Sequence, residues 1–85
     1  MNRLQSVRHL GEYRLEVVFE DGFAGEIDLA GELWGAVFEP LQAPSEFAKA
    51  YVSEFGVLSW PNGADWDPDS LRELVLSNAA QFARQ

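Results

Sequence analysis

Three aspartates, Asp65, Asp67 and Asp69, stand at alternate positions and are the residues best placed to do chemistry in this 85-residue chain. Carboxylates at i, i+2 and i+4 open the calcium loop of EF-hand proteins. The rest of that loop is missing, because its sixth position is Ser70 rather than glycine and its twelfth is not glutamate. Asp67 followed by Pro68 predicts instead a helix N-cap, and Asp69 a first-turn acid that the helix dipole favours. We therefore expect no metal and no cofactor.

Nucleophilic or acid–base catalysis has little support in the remaining residues. His9 is the only histidine, and its place in a predicted strand beside Arg8 favours a surface or edge residue over a catalytic base. No serine stands in the Gly-x-Ser-x-Gly elbow of a hydrolase. The absence of cysteine excludes disulfides and thiolate zinc sites. We expect no enzymatic activity; the alternative is a small-ligand or enzymatic site formed by Trp60, Asp65 and Trp66.

Aromatic side chains offer a different chemistry, the binding of another protein. Tryptophan is enriched in interfaces, and Trp66, which lies between two acids, is predicted to be a partly exposed anchor. Trp60 fits the core of a small domain better. Leu76 falls off the main apolar stripe of the last predicted helix, which favours contact with a partner or with a second copy of the chain. The candidate interaction surface comprises Tyr51, Trp60, Asp65, Trp66 and Leu76.

The chain is acidic, with fourteen acids against six bases and a formal net charge of −8. The acids are spread from Glu12 to Glu73 rather than gathered in a tail. Such a field repels phosphate backbones and anionic lipids, so we expect no direct contact with nucleic acid or a membrane. It favours a basic protein partner, or simply solubility. No apolar run approaches the roughly 20 residues of a membrane span and no signal peptide opens the chain, so the cytoplasm is the expected compartment.

An α+β fold of one domain, residues 1–85, is predicted to position these residues. Strict alternation of apolar residues marks 13–19 as a strand, and Asp21-Gly22 predicts a hairpin turn after it. Trp34, Trp60, Trp66 and the six phenylalanines are expected to supply much of the burial in a thin core. About five strands should form a small antiparallel sheet, an N-terminal meander plus a second hairpin, packed against a C-terminal helix. The predicted strands are 4–10, 13–19, 23–28, 50–54 and 57–60, with a short helix near 29–34 capped by Asp28 and a long helix from 68 to about 82.

An ordered set of short motifs extends through nearly the whole chain, from about Leu4 to Val75. They are 13–19 (Tyr-Arg-Leu-Glu-Val-Val-Phe), Asp21-Gly22, 27–29 (Ile-Asp-Leu), Pro40-Leu41, Phe47, 58–65 (Leu-Ser-Trp-Pro-Asn-Gly-Ala-Asp) and 68–71 (Pro-Asp-Ser-Leu). Taken in this order, the set resembles a family of small bacterial proteins known as domain of unknown function 2442. The resemblance implies an α+β fold and supplies no catalytic residue.

The resemblance implies a function through two kinds of relative. Some carry an added helix-turn-helix DNA-binding domain, for which the end of this chain at Gln85 is expected to leave no room. Others stand alone and are similar to proposed antitoxins encoded beside a small basic partner. Relatives usually have an aromatic residue where this chain has Arg72, so the contacts at that corner are expected to differ. We therefore expect a non-catalytic protein-interaction module, an acidic antitoxin-like partner of a small basic protein.

Overall fold

The structure, a computed structural model, describes residues 2–83, with side chains from Asn2 to Ser77. Two single turns of 3-10 helix, Ala30–Glu32 and Glu39–Gln42, connect the first part of the fold to the second. The predicted α+β class is confirmed. In chain order the other elements are β1 (Leu4–Gly11), β2 (Arg14–Phe19), β3 (Ala24–Asp28), α1 (Pro44–Phe47), β4 (Tyr51–Val52), β5 (Leu58–Ser59), β6 (Asp65–Trp66) and α2 (Pro68–Ala83).

The N-terminal meander is the sheet β1-β2-β3, with β2 at its centre. The alternation in β2 is real, because Leu15, Val17 and Phe19 are buried while Arg14 on the other face is exposed. β1 and β3 both pair with β2 in antiparallel fashion, so the buried side chains of β2 lie at the centre of the core face of the sheet. This part of the fold agrees with the prediction from sequence.

Three hairpin turns share one geometry, in which a glycine occupies the fourth of five positions. In each turn the first residue donates its N–H to the carbonyl of the fifth, and the glycine N–H returns to the first carbonyl, with N···O distances of 2.7–3.0 Å. Gly22, Gly56 and Gly63 adopt φ of 93°, 73° and 94°, the left-handed conformation that closes a three-residue hairpin loop. Asp21 and Asn62, at the third position, each accept the N–H of the fifth residue. Turn chemistry thus fixes where these strands reverse.

The number and grouping of the strands differ from the prediction. Within residues 2–83, six strands form two three-stranded antiparallel sheets, β1-β2-β3 and β4-β5-β6, rather than about five strands in one sheet. The missed strand is Asp65–Trp66, which pairs with Leu58–Ser59 although its sequence is typical of a turn leading into a helix. The sheets meet where the Leu4 N–H donates to the Gly56 carbonyl at 2.8 Å. A two-residue strand makes too short a pattern to be predicted from alternation.

The predicted short helix exists, but it is a 3-10 turn over Ala30–Glu32 rather than a helix over 29–34. The Asp28 carboxylate accepts the Ala30 N–H at 2.9 Å, so the predicted capping residue is correct. Leu29 and Leu33, on either side of the turn, are both buried. The turn therefore fastens the end of β3 to the core.

α2 begins as its sequence predicts and packs on β3. The Asp67 carboxylate accepts the Ser70 N–H at 3.0 Å, which confirms Asp67 as a helix cap. Leu71 and Val75 of the predicted apolar stripe are buried. The later members, Ala79 and Phe82, lie outside the side chains that the structure describes. No helix within residues 2–83 is both long enough and apolar enough to span a bilayer.

Replacement of Asp67 by alanine should lower the free energy of unfolding by about 1 kcal/mol, because the Ser70 N–H loses its acceptor. Asp67→Asn is the matched control, since its amide oxygen can accept the same N–H and asparagine caps as well as aspartate. Urea denaturation of the three proteins measures both effects. A similar loss for both variants would show that the carboxylate charge, and not the cap, is what matters.

Candidate interaction surface

Trp60 lies in the core, at the centre of a chain of aromatic rings. Its side chain is 1% exposed, and its indole N–H donates to the Phe47 carbonyl at 2.9 Å. Phe38 packs edge-on against both tryptophans, with ring centroids 6.3 Å from Trp60 and 5.3 Å from Trp66. The expectation that Trp60 completes the core is confirmed, and its inclusion in the candidate interaction surface is wrong. Trp60 is likewise shielded from any ligand that would bind beside Asp65.

Tyr51 and Asp65 share one face of the second sheet. Tyr51 pairs with Ser59 across β4 and β5, and Ser59 pairs with Asp65 across β5 and β6, so the three residues form a row. Tyr51 is 46% exposed, and Asp65 is exposed as well. Trp66 is the next residue along β6 and lies on the opposite face, half-buried against Phe38. The sheet therefore brings two of the predicted residues together at the surface and turns Trp66 partly inward.

Leu76 is 51% exposed on α2, in agreement with its position off the apolar stripe. Its helix packs on β3 of the first sheet, whereas Tyr51 and Asp65 belong to the second sheet. The five predicted surface residues therefore do not form one patch: one is buried, one is half-buried and Leu76 lies on a separate element.

The loop at residues 33–38, which was not predicted, carries two of the exposed large apolar side chains among the described residues. Trp34 is 73% exposed and Val37 is 46% exposed. The expectation that Trp34 fills the core is wrong. The sequence Leu-Trp-Gly-Ala-Val-Phe gives no signal for a surface loop, because a short continuous apolar run is typical of a buried strand or helix.

Two side-chain hydrogen bonds fasten the 33–38 loop at its ends. The Gln42 amide donates to the Leu33 carbonyl at 2.6 Å, and the Asn62 amide donates to the Val37 carbonyl at 3.1 Å. Phe38, the last residue, is anchored between two tryptophan rings. The loop is thus attached to the core on both sides while its middle faces solvent.

The three aspartates at alternate positions have separate surroundings. Asp67 caps α2, and the Asp69 carboxylate accepts the Asn2 side-chain amide at 2.7 Å. Asp65 lies in β6. Among the residues that the structure describes, no three histidine, cysteine or acidic side chains are grouped so that they could hold a metal ion. Two of the three carboxylates therefore have structural partners of their own.

His9 is exposed on β1, an edge strand, as its sequence context predicts. Its Nε2 lies 2.9 Å from the Glu12 carbonyl, which can only accept, so Nε2 carries the proton. The ring also packs edge-on against Phe47, at 5.9 Å between centroids. Glu12 has φ of 45°, an uncommon value for a residue other than glycine. His9 thus braces the first turn through the backbone of Glu12.

Most of the negative charge on the surface is uncompensated. Four ion pairs join Arg3 to Glu20, Arg8 to Glu16, Lys49 to Glu46 and Arg72 to Asp21. All fourteen acids lie within the described residues, and the other ten pair with no described cation. Most of the acidic side chains therefore contribute an unneutralised negative charge, in keeping with the net charge of −8.

Arg72 joins the first hairpin turn to α2. Its guanidinium lies 4.2 Å from the Phe23 ring centroid and 5.3 Å from that of Phe19, and it pairs with Asp21 at 3.0 Å. The same group donates to the Asn2 side-chain oxygen at 3.2 Å. The Phe23 N–H and, after it, the Arg72 guanidinium hold the pKa of Asp21 below its ordinary value. This corner of the fold is thus built around a cation that stacks on two aromatic rings.

Asp21→Asn should destabilise the protein at pH 7 but lose this effect in acid. Asparagine can still accept the Phe23 N–H through its Oδ1, as Asn62 does in the matching turn, so the variant keeps that bond and removes the charge and the Oδ2 that pairs with Arg72. The lowered pKa means that the carboxylate stabilises the fold above the ordinary value of 3.8, and that this contribution disappears as the pH falls through the folded-state pKa. Urea midpoints at pH 7 and near pH 2 measure the change. A gap between the two proteins that is constant with pH would contradict the assignment.

A cleft of about 280 Å³ opens beside this corner, lined by Asn2, Arg3, Phe19, Glu20 and Asp21. None of the residues of the alternative ligand site, Trp60, Asp65 and Trp66, lines it. Acids and a base line the cleft together, so it has no single charge preference. It gives no support to the ligand-binding alternative at the predicted place.

Most of the sequence matches a known protein family. The family described as "Protein of unknown function (DUF2442)" covers residues 4–77. The chain belongs to the DUF2442 family. The DUF2442 chain is also similar to the crystal structure of "Putative DNA Binding Protein NE0471" from Nitrosomonas europaea, with 25% identity and a TM-score of 0.67. The match covers 100% of this chain and 53% of that one, so the chain spans about half the length of NE0471. No curated protein matches significantly.

Proposed function

We propose that this DUF2442 protein is a non-catalytic protein-interaction module that binds a small basic protein, in the manner of an acidic antitoxin. The observation that carries the proposal is the uncompensated charge, ten acids without a described cationic partner. A negative potential of this size speeds the approach of a basic protein and disfavours acidic ones. The exposed apolar side chains of the 33–38 loop add area that a partner could bury.

Three of the residues with catalytic potential support the same proposal, because His9, Asp67 and Asp69 each have a structural partner nearby. The His9 ring donates to the Glu12 carbonyl, and the Asp67 carboxylate caps α2. Asp69 accepts from Asn2. A general base must reach a substrate proton, and these groups are already engaged with their own backbone or neighbours.

The name of NE0471 refers to DNA binding, but we propose that this chain makes no direct contact with DNA. NE0471 is about twice as long as this chain, and the present chain matches only 53% of it. Phosphate backbones are bound by lysine and arginine, whereas four of the six basic residues here are paired with acids. A net charge of −8 repels the same backbones.

The test is binding kinetics between the full chain and the product of the adjacent gene, which the proposal expects to be small and basic. The association rate should fall steeply with salt, because the Debye length shortens from about 10 Å at 0.1 M to about 3 Å at 1 M. The dissociation rate should change much less. A surface-based assay over this salt range gives both rates.

Duplex DNA at the same salt concentrations is the parallel arm of that experiment. No measurable complex is expected with DNA at any of them. An association rate with the basic protein that is independent of salt would remove the electrostatic argument. A tight complex with DNA, or no complex with the adjacent product, would overturn the proposed function.

A further inference from the structure

The 33–38 loop presents an exposed indole and is flanked by two acids, Glu32 and Glu39, that pair with no described cation. Trp34 is the most exposed of the large apolar side chains among residues 2–77, at 73%. We propose that this loop docks an arginine-bearing segment of the basic partner, an inference that rests on the proposed function. Trp34 supplies the central apolar contact, and the neighbouring acids supply the charge. Tryptophan is the residue type that most often dominates the binding energy of an interface.

The backbone of the loop is ordered before any partner arrives. Gly35, with φ of 92°, accepts the N–H groups of Phe38 and Glu39 at 3.1 and 3.0 Å. The amides of Gln42 and Asn62 hold the loop ends, as described above. A side chain presented on a fixed backbone loses little conformational freedom when it is buried, which favours binding. Trp34 is therefore exposed on a scaffold built to hold it.

The charges beside the loop select the partner. Glu32 lies two residues before Trp34 and Glu39 follows Phe38; both acids are exposed, and neither pairs with a described cation. A guanidinium can stack on an indole face and pair with a carboxylate, which an ammonium does less well. The chain already contains this arrangement, because Arg72 lies over Phe23 while it pairs with Asp21. The same chemistry at the loop would be completed by an arginine from outside.

Two other surfaces fit a basic partner less well. Phe55 is 69% exposed at the tip of the β4–β5 turn, but Arg3 lies beside it and donates to the Glu54 carbonyl at 3.1 Å. A cation already occupies that surface. A second copy of the chain would bring a further charge of −8 against Glu32 and Glu39, so self-association at the loop is opposed by repulsion.

Selection from a displayed library of random 12-residue peptides on the full chain tests the inference. Peptides that carry arginine beside a bulky apolar residue should be enriched. Against them Trp34→Ala should lose about tenfold or more in affinity, and Glu32→Gln/Glu39→Gln a smaller factor. Phe55→Ala is the matched control, since it removes an equally exposed aromatic side chain and should bind as the wild type does. Equal melting temperatures for all four proteins establish that the fold is intact.

The alternative outcomes separate this inference from the proposed function. Basic peptides that bind Trp34→Ala as well as the wild type would overturn the docking site and leave the proposed function standing. Selected peptides without basic residues, or no enrichment at all, would overturn the docking site, while the kinetics with the product of the adjacent gene test the proposed function separately. A wild-type dimer in sedimentation experiments that Trp34→Ala converts to a monomer would overturn the inference in favour of a second copy.

Discussion

Replacement of Trp60 by alanine is expected to lower the free energy of unfolding by about 3–5 kcal/mol. The cost is high because the side chain is 1% exposed and lies against the rings of Phe47 and Phe38, at 5.8 and 6.3 Å between centroids. A domain of 85 residues has a total stability of about 4–13 kcal/mol, at roughly 0.05–0.15 kcal/mol per residue. The variant should therefore lose a large share of its stability and unfold at a much lower urea concentration than the wild type. Urea denaturation followed by far-ultraviolet circular dichroism measures the loss.

Trp60→Phe separates the ring from its hydrogen bond. Phenylalanine keeps an aromatic ring in the cavity but cannot donate to the Phe47 carbonyl. That carbonyl also accepts the Ala50 N–H at 3.2 Å, so the substitution does not leave it without a partner. The lost bond itself should cost about 0.5–1.5 kcal/mol. The phenylalanine variant is thus expected to be much more stable than the alanine variant.

The other tryptophans are the natural controls for this prediction. Trp34→Ala should be nearly neutral because its side chain is 73% exposed, and Trp66→Ala should fall between the two because its ring is half-buried against Phe38. The expected order of stability loss is Trp60, then Trp66, then Trp34. Equal losses at all three positions would contradict the burial on which the prediction stands.

Local signals explain which parts of the fold could be predicted from the sequence. The strand at 14–19 has a period of two, and Gly22 and Asp67 have residue types that turns and caps require. Each of these features is decided by interactions within about four residues. The sequence therefore predicts the meander, its first turn and the start of α2 correctly, and the main error there is one or two residues at the ends of elements.

Contacts between distant parts of the chain explain what could not be predicted. Asp65–Trp66 becomes a strand only because Leu58–Ser59 lies beside it. Trp34 and Trp60 have the same intrinsic preference for burial, yet only the second is enclosed by Phe38 and other core side chains. The choice depends on contacts between segments that are distant in the sequence, which no local pattern encodes. The predicted candidate surface therefore included the buried Trp60 and omitted the exposed Trp34, because tertiary contacts and not residue type decide which tryptophan is buried.

Gly25 and Gly31 also differ through contacts that the sequence does not reveal. Both lie in short structured segments without a left-handed backbone. At Gly31 an added Cβ would meet nothing within 4 Å. At Gly25 it would overlap Cγ1 of Val75, which is buried on α2. Gly25 also pairs with the buried Val17 in the register of the sheet. The absent side chain at Gly25 is thus what allows the helix to lie directly on β3.

Gly25→Ala is therefore expected to cost about 1–3 kcal/mol, because the helix must move away from the sheet or Val75 must leave its rotamer. Gly31→Ala is the matched control and should be neutral or stabilising by about 0.4–1 kcal/mol through the unfolded chain. Combining Gly25→Ala with Val75→Ala restores the space, so the pair should cost less than the sum of its members, with a coupling of about 0.5–3 kcal/mol. Urea denaturation of the four variants measures their free energies of unfolding and so gives the coupling. Strict additivity of the two substitutions would mean that the helix does not rest on Gly25.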